Sequence, residues 1–169
     1  MIDKKMQKAI NKQINAEIYS AYMYLAMAAY FEDISLGGFA QWMRIQYEEE
    51  LAHAMRFYNH MCERSGRVTL LPIEAPPTQW KSPLHVFEET LKHERHVTAL
   101  IHKLVDLSID LKDHASTQML QWFIEEQVEE EATAETILDE LKLIGEAKSG
   151  LFMMNRELSQ RTFTPPPAE

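Results

Sequence analysis

The chain has 169 residues, enough for one domain with its own buried core. Its 17 Lys and Arg against 26 Asp and Glu leave a formal charge of −9, which argues against nucleic acid and favours a cationic partner. A single cysteine, Cys62, excludes an intramolecular disulfide framework and suits a reducing, cytoplasmic setting.

The glycines stand at 37, 38, 66, 145 and 150, and the prolines fall within 72–83 and 165–167. The long stretches between them hold no helix breaker, so the fold class is all-α. The N-terminus is charged but runs into Asn, Gln and Glu, so no targeting leader is expected. The apolar run 18–31 is shorter than the roughly 20 residues of a membrane span. Glu17 and Glu32 bracket it, so no membrane is expected.

The first helix is expected from about residue 6 to 34, ending before Gly37-Gly38. Its core stripe reads Ile10, Ile14, Glu17, Ile18, Ala21, Tyr24, Leu25, Ala28. The second half is apolar nearly all round, more than one core can use, so its outer face should meet another subunit. The second helix is expected from about 39 to 65, closed by Gly66, with Phe39, Trp42, Met43, Gln46, Glu50, His53 and Phe57 inward.

Residues 66–82 form the one long unpatterned stretch, with Val68 to Leu71 strand-like and free to pair with a neighbour. About 17 residues at about 3.3 Å each reach roughly 55 Å. A helix of about 27 residues is about 40 Å long. The stretch can therefore cross the whole bundle, so that the third helix starts at the same end as the second, as in bundles with a long crossover. That third helix opens at Ser82-Pro83 and runs to about 111, with Phe87, Leu91, Glu94, Thr98, Ile101 and Val105 inward. The fourth is expected over about 114–144, with Met119, Phe123, Gln127, Glu130, Ala134, Ile137 and Leu141 inward. Its start is placed only within Asp110–His114. A short fifth helix follows Gly150, too apolar to sit alone in water, and residues 1–163 make one domain with a disordered tail at 164–169.

Each of the four long helices thus carries acidic or polar residues inside its apolar stripe: Glu17; Glu50 and His53; Glu94; Gln127 and Glu130. All lie near mid-helix, so they meet at the mid-plane whatever the helix directions. Four inward carboxylates cannot be left bare in a core, and two divalent cations bridged by a carboxylate would balance them. Oxygen-rich ligation with one imidazole suits Fe(II) or Mn(II). The plainer reading is a bundle with misjudged faces and solvated glutamates. The remaining histidines, 60, 85, 93, 96, 102 and 114, read as surface or capping residues, and Cys62 as a small apolar residue near a helix end.

These residues carry a resemblance over nearly the full chain. Glu17 in Asn-Ala-Glu-Ile-Tyr-Ser, Glu49-Glu50-Leu-Ala-His53, Glu94 in Lys-His-Glu-Arg, and Trp122 through Glu130 resemble a bacterial-type non-haem ferritin. The alternation of single and double donors along the helices is that of ferritin-like di-iron bundles, a standard example of the class. The resemblance implies that Glu17, Glu50 and His53 hold one iron. Glu50 bridges to a second, held also by Glu94 and Glu130 with Gln127 close by. It further implies a third iron at Glu49, Glu126 and Glu129, and places Tyr24 and Trp122 near the metals.

Leu51 stands where bacterioferritins carry a haem-ligating Met, and Gln127-x-x-Glu130 replaces their second Glu-x-x-His, so no haem is expected. Thr117 and Leu120 stand where animal ferritins line a three-fold channel with acidic residues. The implied function is ferroxidase activity with O2 or H2O2 as oxidant, and storage of ferric mineral inside a 24-subunit homo-oligomeric cage. The rivals are a non-storing di-iron oxidase or peroxidase of the same class, a shell subunit without catalysis, and a binding module whose glutamates are exposed.

Overall fold

The structure is a computed structural model and describes residues 2–165. Among them are five helices and no strand: α1 (Lys4–Asp33), α2 (Gly37–Glu63), α3 (Pro83–Asp110), α4 (His114–Ile144) and α5 (Lys148–Leu158). The long four form a bundle in which α1 packs along α2 and α3 along α4, while α5 rests mainly on α2. None is long and apolar enough to cross a membrane. The expected tail at 164–169 falls outside the described residues from 166 onward.

Helix α4 spans the expected residues, and α1, α2 and α3 end within two residues of the expected places. After α1, α2 and α3 the chain turns with positive φ at Ser35 (62°), Ser65 (55°) and Lys112 (54°), whereas α4 ends at a glycine, Gly145 (φ 55°). Each of the first three turns is stapled by the same pair of bonds. After α1, the Ser35 amide donates to Glu32 O at 3.0 Å and the Leu36 amide to Phe31 O at 2.9 Å. After α2, Ser65 and Gly66 bond Cys62 O and Met61 O in the same way, and after α3, Lys112 and Asp113 bond Ile109 O and Ser108 O. Gly37-Gly38 therefore opens α2 and does not close α1. Asp113 then caps α4 by accepting the Ser116 amide.

The segment between α2 and α3 crosses the bundle along α1, and its track is recorded by side chains. Gln7 and Asn11 donate to Arg67 O, at 3.1 and 3.0 Å. Asn11 Oδ1 accepts the Thr69 amide, and Asn15 donates to Leu71 O and Pro72 O. Near the other end of α1 the Trp80 ring meets Tyr30, centroids 5.5 Å apart. Within residues 68–71 the Thr69 amide and Leu71 O bond to α1 side chains, and the segment forms no strand within the chain.

Two apolar clusters fill the bundle. One holds Tyr24, Phe31, Phe39, Met43 and Phe87; the other holds Met6, Ile10, Phe57, Met61, Ile101 and Phe123. Between them lies a buried polar layer. On the outside, Tyr22, Leu25, Leu70, Leu71 and Ile73 remain exposed, as do Phe152 and Met153 of α5. Leu25 belongs to that outer face and not to the core stripe.

Candidate metal centre

The polar layer consists of Gln13, Glu17 and Ser20 from α1, Gln46, Glu50 and His53 from α2, Glu94 from α3, and Gln127 and Glu130 from α4, all buried. The mid-helix convergence expected from the stripes is therefore real, and the glutamates are not solvated. Each arrives by helical periodicity: Glu17 follows Ile10 and Ile14, and Glu50 and His53 share one face of α2.

Neutral donors position the carboxylates. Gln13 Nε2 donates to Glu17 Oε1 at 2.7 Å, and Gln46 Nε2 to Glu130 Oε2 at 2.9 Å. Gln127 Nε2 lies 3.3 Å from Glu94 Oε2, Glu94 O and Thr98 Oγ1. The Tyr24 hydroxyl donates to Glu94 Oε1 in a short contact. His53 lies between two acids, with Nδ1 3.5 Å from Glu50 Oε2 and Nε2 3.7 Å from Glu126 Oε1. Trp122 meets the His53 ring edge-on at 5.4 Å.

Three acceptors in this layer find no hydrogen bond: Glu17 Oε2, Glu50 Oε2 and Gln46 Oε1. Ligand atoms of Glu17, Glu50 and His53 lie within 4.8 Å of one another, and so do those of His53, Glu126 and Glu130. Of the remaining expected ligands, Glu94 is buried but belongs to neither group, Glu49 is half-buried and paired with Arg161, and Glu129 is exposed and belongs to neither group.

The electrostatics are those of a site that lacks positive charge. Burial pushes the Glu50 carboxyl well above the ordinary carboxylate range and raises Glu17 too. Burial lifts Glu94 to about 6, against hydrogen bonds from Tyr24 and Gln127. Glu130 rises to about 8 through burial and the neighbouring Glu94. Burial pulls His53 down, yet Glu126 and Glu50 outweigh it and hold the imidazole well above its usual value. Burial and Glu94 keep Tyr24 a phenol, so it remains a donor. At neutral pH Glu130 thus keeps its proton, and burial pushes Glu50 the same way.

The sequence profile of the Ferritin-like domain family matches residues 7–144 of this chain. The chain belongs to the ferritin family. It is 45% identical over 161 residues to a bacterial non-heme ferritin of Bacteroides fragilis, covering 95% of this chain and all of the relative. It is 39% identical to a bacterial non-heme ferritin of Staphylococcus saprophyticus, covering 96% and 98%. An open-pore ferritin from the hyperthermophilic archaeon Archaeoglobus fulgidus superposes with a TM-score of 0.95 at 52% identity, covering 96% of this chain and 100% of that one. A closed form of that archaeal ferritin, engineered by site-directed mutagenesis, gives 0.96 at 52% identity over 97% and 100%.

Two histidines of this ferritin-family chain depart from the surface reading. His60 is buried, its Nε2 3.0 Å from Ser116 Oγ, and His93 is half-buried with Nε2 2.8 Å from Ser20 Oγ. Burial, with His96 nearby, lowers His93 to about 4, so it stays neutral. Cys62 is exposed. Leu120 is buried in the core, and Thr117 is hydrogen-bonded to Ser108. The amides Gln13 and Gln46 are the parts of the layer whose role sequence patterning does not show. Gln46 was at least placed inward by the stripe of α2, whereas the only trace of Gln13 is a polar residue four positions before a buried glutamate.

Proposed function

We propose that this chain is an iron-storing ferritin subunit that oxidises Fe(II) at its polar layer and deposits ferric mineral inside a cage. The observation that carries this reading is the pair of buried carboxylate oxygens, Glu17 Oε2 and Glu50 Oε2, left without hydrogen bonds in a ligand group that spans 4.8 Å. A buried bare carboxylate is costly unless a cation meets it.

In this reading Glu17, Glu50 and His53 bind one Fe(II), and Glu50, Glu94 and Glu130 the second, with Glu50 between them and Gln127 beside Glu94. Binding displaces the protons that the metal-free layer retains. The carboxylates stabilise the higher charge of Fe(III) over Fe(II), which drives oxidation, and O2 or H2O2 takes the electrons. Tyr24 fixes the rotamer of Glu94 by its hydroxyl bond. Glu49, Glu126 and Glu129 hold a third iron at the edge of the layer, and Glu126 next to His53 supports its proximity to the first two. No haem is used. Residues 1–163 act as one domain in the cytoplasm.

Storage requires a closed shell, and a 24-subunit cage suits the exposed apolar faces of α1 and α5. Glu50→Ala should abolish fast aerobic Fe(II) oxidation while leaving helicity and assembly unchanged; a normal rate in that variant would remove the assignment. Size-exclusion chromatography after aerobic Fe(II) addition tests storage. Ferric absorbance far above about two irons per chain, co-eluting with a cage-sized particle, is expected for a mineralising ferritin. Iron held near two per chain on a small oligomer would instead identify a non-storing di-iron oxidase.

A further inference from the structure

Arg161 lies beyond the end of α5, yet its guanidinium reaches back to α2. Nη2 donates to Glu49 Oε2 at 2.6 Å, and Cζ stands 4.6 Å from the centre of the Trp42 ring. Both partners of the ion pair are largely shielded, the side chains being 23% and 18% exposed. What carries Arg161 there is the docking of α5. Asn155 Oδ1 accepts the Gly38 and Phe39 amides at 2.8 and 3.3 Å, which caps an α2 start that has no cap of its own.

The pair is single-ended. A guanidinium usually forks onto a carboxylate through two N–H groups. Here Nη1 is buried without a hydrogen-bond partner. An unsatisfied buried donor offsets part of the gain from the pair, so the contact is formed but cheap to exchange. Glu49 also shares the field of His53 and Glu126, and so belongs to the edge of the metal layer.

We propose that Arg161 is a tethered cation that neutralises Glu49 until iron displaces it, so that filling the Glu49 side of the centre releases the C-terminal segment. The inference rests on Glu49 being an iron ligand. A divalent ion on the Glu49 carboxylate would lie a few ångströms from the guanidinium, and the two like charges repel, which favours exchange of one for the other. Arg161 is thus a positioning residue. It keeps affinity at the edge of the layer low enough for iron to pass through without being trapped there.

The test is anaerobic calorimetric titration of the metal-free assembly with Zn(II), which binds without redox chemistry. Arg161→Gln should tighten the weakest Zn(II) step about five- to tenfold, the worth of a partly shielded ion pair, and leave the tighter steps unchanged. Arg161→Lys, which keeps the charge, should return that step toward the wild-type affinity. In the unaltered protein, saturating Zn(II) should speed tryptic cleavage after Arg161, and in Glu49→Gln it should add nothing. An unchanged weakest step in Arg161→Gln, with that step lost in Glu49→Gln, would overturn the tethered cation and leave Glu49 a ligand. Retention of the step in Glu49→Gln would overturn both. Should Arg161→Gln fail to fold, metal-independent cleavage of the wild-type chain overturns the inference by itself.

Discussion

Replacing Glu130 by Gln should stabilise the metal-free protein, and increasingly so as pH rises. Glu130 is buried, accepts from Gln46 Nε2 at 2.9 Å and holds its proton up to about 8. In the unfolded chain the same carboxyl ionises near 4.5. Its contribution is therefore fully present below that value and drains away as pH climbs toward 8. At about 1.36 kcal/mol per pH unit, the loss from Glu130 between pH 5 and pH 8 is about 4 kcal/mol. For a chain of this size that corresponds to roughly 10 °C in the unfolding midpoint. The substituted amide carries no titrating group and can present its own oxygen to Gln46 Nε2, so this share of the slope should vanish. The assay is thermal unfolding of chelator-treated wild type and Glu130→Gln at pH 5, 6, 7 and 8, with midpoints that meet at pH 5 and diverge upward. Zn(II) should reverse the order, because the wild type then exchanges its protons for a cation and the variant has lost a ligand. Parallel pH curves, or a variant less stable at pH 8 without metal, would refute the claim that the layer is held by protons.

Two further predictions concern the joints of the bundle. A Cβ at Gly38 would stand 1.6 Å from the carbonyl oxygen of Asn155, so Gly38→Ala should dislodge α5 and lower stability by about 3 kcal/mol. Gly37→Ala, with nothing within 4 Å, should be harmless, and urea unfolding of the two variants checks both outcomes. Lys112 holds a left-handed backbone (φ 54°) between α3 and α4, so Lys112→Gly should raise stability by about 1 kcal/mol in urea unfolding.

The buried acids were legible because a charged residue inside an apolar stripe violates a strong rule at four separate places. The end of α4 was legible in Gly145, but the turns after α1, α2 and α3 were less so because their left-handed positions are filled by Ser35, Ser65 and Lys112, which carry no glycine signal. The crossover's path was legible in length but not in detail. Gln7, Asn11 and Asn15 recur every fourth residue, and only the fold shows that the row faces the backbone of residues 67–72 and not solvent. His60 and His93 escape the pattern for different reasons. His60 continues the buried row of Glu50, His53 and Phe57 and was passed over because a histidine so near a helix end suggests a cap, whereas His93 lies beside the stripe of α3 and not on it; Ser116 and Ser20 face the two rings.

The choice of amides inside the layer bears on what the site can do. Gln13, Gln46 and Gln127 each donate to one glutamate, and Tyr24 adds a fourth neutral donor. A neutral N–H satisfies one lone pair and fixes a rotamer while leaving the negative potential of the carboxylate intact. A lysine or arginine in any of these places would bind its glutamate as a closed ion pair, and a metal would then have to expel a buried charge. The stability of the bundle rests on the two apolar clusters on either side, which are large enough to carry a layer that opposes folding when empty. Arg161 obeys the same logic by its location. It pairs with Glu49 at the edge of the layer, where a shielded but accessible cation can be exchanged without disturbing Glu17, Glu50, Glu94 and Glu130.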